Sequence, residues 1–155
     1  MKIAFVFSGQ GSQYIGMGKE IYDEYKCSQD IFNKANLSLG FDIKEMIFNG
    51  NKEILDITEN TQPAILTTSM AILEVLKEKN IKADAVAGLS LGEYSALVAS
   101  EALSFEEAIS LVKKRGKFMQ EAVPVGIGKM VAVIGLSQEK IVEIICWQGG
   151  ISVVN

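Results

Sequence analysis

Two unbroken apolar runs, Ile3-Ala4-Phe5-Val6-Phe7 and Ala85-Val86-Ala87, each give way to a glycine-containing turn and then to a stretch with helical spacing. Apolar runs without polar alternation predict strands covered on both faces, and the order strand, turn, helix predicts parallel strands joined by crossover helices. The expected class is α/β, a parallel sheet with helices on both faces. Between the two runs the spacing predicts helices near residues 14–25 and 28–35, a shorter one near 43–48 closed by Asn49-Gly50, and a long one over about 61–79. Thr61 and Pro63 mark the entry of the long helix, because proline fits a first turn where its missing N–H needs no partner. Ile65, Leu66, Met70, Ile72, Leu73 and Leu76 then cover much of its surface, which predicts deep packing. Ser104-Phe105-Glu106-Glu107 is a capping-box pattern that opens a helix running to about residue 121. Pro124, Gly126 and Gly128 end it; Met130 to Ile134 reads as a strand, Ser137 as the cap of a helix to about 147, and Ile151 to Val154 as another strand.

Composition narrows the class. The chain has 155 residues, of which 48% are hydrophobic and 22% charged, enough for a cored domain. Its 15 basic and 19 acidic residues are interspersed and sum to a net charge of −4, which points away from nucleic acid and anionic membranes as partners. The first apolar run is broken at Ser8, too early for a signal-peptide core or a membrane span. Cys27 and Cys146 match no metal spacing and read as free thiols, so the cytoplasm is the expected setting.

The chemistry concentrates in three places. Gly88-Leu89-Ser90-Leu91-Gly92 follows an apolar strand and precedes a helix, the pattern of a nucleophile elbow with Ser90 at its tip. In that geometry the Leu91 N–H faces the site as an oxyanion donor; an ordinary βα turn of small residues would use the same glycines. The chain contains no histidine, so the serine lacks its usual base. Ser8-Gly9-Gln10-Gly11-Ser12-Gln13 fails the stricter tests for a phosphate-binding turn, having no P-loop lysine and no third glycine at the right spacing. Placed beside the elbow, its backbone can supply a second oxyanion donor. On the helix after Ser104, Arg115 falls among Phe105, Ala108, Leu111, Val112, Phe118 and Met119, opposite Lys113, Lys114 and Lys117. A guanidinium in an apolar stripe needs an anionic or strongly polar partner. An internal Asp or Glu, escape to the rim, and a substrate carboxylate all remain open; the three lysines read as a solvated face or a docking patch for an acidic protein.

Four motifs in order, Gly9-Gln10-Gly11-Ser12-Gln13, Thr61-Gln62-Pro63-Ala64, Gly88-Leu89-Ser90-Leu91-Gly92-Glu93-Tyr94 and Arg115-Gly116-Lys117-Phe118-Met119-Gln120, strongly resemble the malonyl-CoA:acyl carrier protein transacylases of fatty acid synthesis and the acyltransferase domains of polyketide synthases. The resemblance spans the whole length. It implies an α/β-hydrolase-like subdomain, begun here by residues 1–128, with an incomplete ferredoxin-like subdomain over 129–155. It implies ping-pong transfer through a malonyl-serine, with Ser90 as nucleophile, Gln10 and Leu91 as backbone oxyanion donors, Arg115 as clamp on the malonyl carboxylate and Gln62 lining the site. No cofactor is implied; malonyl-CoA is substrate, acyl carrier protein the partner, and the enzyme a monomer. The chain has Leu89 and Ser8 where the family often has histidine and proline. Family members run to about twice this length, as two-subdomain enzymes do. Their catalytic histidine lies in the second half, so these 155 residues are expected to be an N-terminal portion, slow or inactive by themselves. A serine esterase of the same fold and a non-catalytic interaction module remain as alternatives.

Overall fold

The computed structural model describes residues 2–124, 126, 133 and 135–148. Two strands, β1 (Ala4–Phe7) and β2 (Ala85–Gly88), pair in parallel, with Ala4 beside Ala85 and Phe7 beside Gly88. Between them come α1 (Lys19–Glu24), α2 (Lys26–Leu39), α3 (Ile43–Phe48), α4 (Lys52–Leu55) and α5 (Thr58–Glu78); after β2 come α6 (Gly92–Ala99) and α7 (Phe105–Ala122). These elements make up one unit, Met1–Pro124, and Val125–Asn155 makes up a second that contains α8 (Gln138–Gln148). In α8 the Lys140 backbone N–H donates to Ser137 Oγ at 3.4 Å, the capping role expected of that serine. The strands expected at Met130 to Ile134 and at Ile151 to Val154 fall largely or wholly outside the described residues. Cys27 is a free thiol, and the side chain of Cys146 lies outside the described residues. No helix among the described residues is long and apolar enough to cross a membrane.

Residues paired across a parallel ladder share a face, so Phe5, Phe7, Val86 and Gly88 lie on one side and Ala4, Val6, Ala85 and Ala87 on the other. The first side is covered, with Phe7 buried, and α6 packs on both strands. On the second side Val6 is 77% exposed. Among the described residues helices therefore cover one face, where the apolar runs predicted two. An apolar run records that a surface is suited to burial and carries no information about what buries it.

The core lies between helices. Tyr22, Phe32 and Phe48 meet with ring centroids 5.2 to 5.4 Å apart, the first two edge to face. Around them Ile43, Ile47, Leu55, Leu66, Met70, Ile109 and Val112 are fully buried, each removing from water a side chain worth ~1.5–3 kcal/mol. The deep packing expected of the long helix holds, for Thr61 to Thr68 is buried without interruption. Its start differs from expectation. α5 begins at Thr58, so Pro63 sits in the second turn and leaves the Glu59 carbonyl without its helical donor. No side chain caps that end at Ile57, which is why no capping residue announces it. The first helix is likewise shorter than expected, because residues 15–18 form turns with Gly16 and Gly18 in the left-handed region. The short α4 is an addition, capped by Asn51 accepting from the Glu53 N–H.

α7 carries the predicted capping box between Ser104 and Glu107. Its buried stripe is Phe105, Ala108, Ile109, Val112 and Gly116, while Leu111 and Phe118 are 45% and 65% exposed. The helix is turned by Gly116, on which a Cβ would come within 2.9 Å of the Glu59 Cα and the Thr58 carbonyl oxygen of α5. Lys113 is consequently no part of a free solvated face. It pairs with Glu59 at 3.5 Å and its ammonium lies 4.6 Å from the centroid of Phe41.

The loop after β1 is tied to the start of α5. Gln13 accepts from the Gly11 N–H at 2.8 Å and donates to Asp56 Oδ1 at 2.7 Å, and Lys52 also bonds Asp56. The Lys52 and Gln13 hydrogen bonds hold the Asp56 carboxyl below the ordinary carboxylate range.

Gly116→Ala is expected to cost ~1–3 kcal/mol, read as a lower urea midpoint, because backbone rather than a flexible side chain meets the added methyl. Asp56 contributes stability above the unfolded carboxylate pKa and loses it as pH falls through the lower folded value. Asp56→Asn should therefore lower the urea midpoint at about pH 7 and flatten its decline toward about pH 3.

Candidate functional site

The C-terminal ends of β1 and β2 lie side by side, so the two loops that leave them are forced together. After Gly88 the chain reverses through Leu89, Ser90 and Leu91 and enters α6 at Gly92. The reversal is closed by bonds from Gly92 N to Leu89 O at 2.9 Å, Glu93 N to Ser90 O at 3.2 Å and Tyr94 N to Leu91 O at 3.1 Å. Ser90 is held at φ 53°, a left-handed conformation that costs a non-glycine residue of order 1–3 kcal/mol and is tolerated where the surroundings enforce it. The enforcement is visible at Gly92, where a Cβ would stand 2.2 Å from the Phe7 carbonyl oxygen. Only a residue without a side chain lets α6 start this close to β1. The outcome is an exposed Ser90 above the strand ends, with Leu91 fully buried behind it.

Gly9 repeats the device from the other side, since a Cβ there would meet the Leu89 carbonyl oxygen at 2.6 Å. Leu89 in turn donates its N–H to the Phe7 carbonyl at 3.1 Å. The β1 loop is thereby pressed onto the elbow, with Gln10 next in line. Among the described residues neither the Gln10 nor the Leu91 backbone N–H is used in a hydrogen bond. A free donor beside an elbow is the arrangement that a developing oxyanion requires.

The Gln10 side chain reaches away from the elbow to α5. Its Nε2 donates to Thr58 Oγ1 at 3.2 Å and its Oε1 accepts from Gln62 Nε2 at 3.4 Å. Gln62 is 0% exposed, lies 3.2 Å from Met119 Sδ through Nε2, and has no partner for Oε1 among the described residues. Thr58 also donates its backbone N–H to Gln120 Oε1 at 3.3 Å, which joins α7 to the same point. Gln10 thus locks the loop to α5 and Gln13 locks it to Asp56 at the end of α4, a role that a simple tight turn leaves unexplained.

Arg115 comes to Ser90 from α7. Its Nη2 donates to Ser90 Oγ at 3.0 Å, and its guanidinium carbon lies 5.7 Å from the centroid of the Tyr94 ring. Nη1 is buried and has no hydrogen-bond partner among the described residues. None of the ion pairs among the described residues includes Arg115. The internal Asp or Glu considered for it is therefore not found there, and the helix positions it against the serine instead. Ser90, Leu91, Gln10 and Arg115 meet at this corner, and Gln62 is tied to it through the Gln10 side chain. Thr58 and Tyr94 belong to the corner as well and were missed: Thr58 precedes the predicted helix start, and Tyr94 sits in the elbow motif with no property marking it as a cation partner.

Among the described residues no three His, Cys, Asp or Glu side chains group as metal ligands do. A separate cavity of about 360 Å³, lined by residues such as Tyr14, Met17, Ile65 and Ile72, does not include Ser90 or Arg115.

The acyl transferase domain family matches residues 4–154. The chain is 52% identical over 143 residues to a malonyl CoA-acyl carrier protein transacylase of Bacillus subtilis (strain 168), covering 92% of this chain and 45% of that protein. To the transacylase of the same description from Staphylococcus aureus (strain MRSA252) it is 47% identical, covering 92% and 46%. Among solved structures, the malonyl CoA-acyl carrier protein transacylase of Clostridium perfringens ATCC 13124 superposes with a TM-score of 0.83 at 51% identity, over 96% of this chain and 47% of that one. A malonyl-transacylase solved in complex with its type II PKS acyl-carrier protein gives 0.77 at 44% identity, over 80% and 40%. The chain spans about half the length of the curated relatives it matches. With a match that takes in both strands, the elbow and the arginine helix, the chain belongs to the acyl transferase domain family.

Proposed function

We propose that this protein moves a malonyl group from coenzyme A to the phosphopantetheine thiol of acyl carrier protein, through a malonyl-serine intermediate, in fatty acid synthesis. The observation that carries the reading is the guanidinium of Arg115 set on the hydroxyl of a left-handed Ser90, with no acid of its own among the described residues. A serine esterase has no use for a cation there, whereas a malonyl group brings a free carboxylate that a planar guanidinium binds with two parallel hydrogen bonds.

In the first half-reaction Ser90 Oγ attacks the thioester carbonyl, forming a C–O bond, and its proton passes to a base. The negative charge moves to the carbonyl oxygen, where the free N–H groups of Gln10 and Leu91 receive it. The C–S bond breaks and coenzyme A leaves as its thiol. In the second half-reaction the thiol of acyl carrier protein attacks the malonyl-serine, and Ser90 regains a proton. The chain has no histidine, and in this reading the base belongs to the part of the family's length that these 155 residues do not span. Gln62 serves by holding the Gln10 side chain. The same resemblance supports an α/β-hydrolase-like subdomain begun by residues 1–128, a ferredoxin-like one begun by 129–155, and a monomer in the cytoplasm. The independent packing of Met1–Pro124 is in keeping with that division.

Mass spectrometry of the intact parent protein mixed with malonyl-CoA is expected to find a malonyl adduct on Ser90; an adduct that persists in Ser90→Ala overturns the reading. Arg115→Ala should lower kcat/KM for malonyl-CoA by about a hundredfold, the consequence of leaving a carboxylate unpaired in the site, with no such loss for acetyl-CoA. Equal losses for the two substrates would remove the clamp.

A further inference from the structure

We infer that Arg115 also covers one lone pair of the nucleophile while no acyl group is bound, so that the acyl group's own carboxylate frees Ser90 by drawing the guanidinium away. The inference rests on the clamp reading of Arg115 and adds a second source of selectivity to it.

A serine hydroxyl has two acceptor lone pairs, and attack on a carbonyl spends one of them. In this structure a cationic donor occupies one, at 3.0 Å. A charge-assisted hydrogen bond withdraws electron density from the oxygen that accepts it, so the bonded hydroxyl is a poorer nucleophile than a free one. The guanidinium rests there under-satisfied: of its five N–H donors, one meets a neutral hydroxyl, and buried Nη1 meets nothing among the described residues. The Tyr94 ring centroid lies 5.7 Å from the guanidinium carbon, and among the described residues no hydrogen bond joins the Tyr94 phenol oxygen to Arg115. A carboxylate entering the site presents two charged acceptors to the same fork. It takes Nη1 and Nη2 together, and the weaker bond to Ser90 is released. A neutral acyl group offers no such exchange and meets a serine whose lone pair is still covered. Malonyl transfer thus gains twice, by the clamp and by the release of the Ser90 lone pair.

The test uses a small neutral reagent, methanesulfonyl fluoride, on the protein expressed from its complete reading frame. The reaction forms an Oγ–S bond at Ser90 and releases fluoride together with the serine proton. Its rate is followed by fluoride release and by the mass of the Ser90 peptide. Formate, a carboxylate too small to fill an acyl site, is expected to accelerate the reaction saturably, by about fivefold for the loss of one hydrogen bond. Arg115→Met keeps an apolar stem of similar length without the donors. It should react at the accelerated rate from the start and show no response to formate. Protection by formate, an unchanged rate, or a slower Arg115→Met would each overturn the inference, the last by showing that the cation activates the serine. The formate titration needs no variant and decides the matter even if Arg115→Met does not fold. A variant that loses malonyl preference without faster sulfonylation would retain the clamp and sink the cover.

Discussion

Backbone packed directly on backbone, at the ends of two parallel strands, is the constraint from which the candidate site follows. Gly92 lies against the Phe7 carbonyl and Gly9 against that of Leu89, at separations that no side chain allows. The two contacts run in opposite senses, one from the elbow to β1 and the other from the β1 loop to the elbow. Together they leave little freedom in how the loops meet. The left-handed Ser90 is tolerated because its neighbours have nowhere else to go. The strain is local and the restraint is distributed over two strands and a helix.

A second layer of order comes from α5, whose first turns collect polar ties from the β1 loop and from α7. Thr58 receives Gln10 from the β1 loop and gives its N–H to Gln120 of α7, and buried Gln62 lies between Gln10 and Met119. Gly116 lets α7 approach that same end closely enough for Arg115, one residue earlier, to reach Ser90. Buried polar groups are costly unless paired, so a helix that buries Thr61, Gln62, Thr67 and Thr68 in sequence needs local acceptors. The threonines find them on carbonyls within or just before the helix, and Gln62 finds them on the loop and on α7. Helix packing and site geometry thus share the same residues.

Much of this was legible beforehand where the signal is short-ranged. The capping box at Ser104 and Glu107 is written in four consecutive residues and appears as expected. The strand, turn and helix around Ser90 are similarly local, and so is the apolar character of α5. The readings that shifted depend on distant partners. Leu111 and Phe118 looked like core and stand exposed, because the approach of Gly116 to Glu59, far away in the chain, sets the rotation of α7. Lys113 looked solvated and is engaged by Glu59 and Phe41 for the same reason. The start of α5 was misplaced because Ile57 carries no capping side chain to mark it.

By itself, then, the sequence determined the α/β class, the elbow and the resemblance to a family of transacylases, since each is encoded in residue types at short spacing. It also placed a guanidinium on a helix face that had no evident use for it. Only the tertiary structure decided what Arg115 takes as its partner, because that choice turns on what lies opposite α7 rather than on anything within it. The answer is the serine hydroxyl of a loop 25 residues earlier. Nothing local brings these two groups together; the glycine contacts that seat the elbow on β1 and the close approach of α7 to α5 at Gly116 do so.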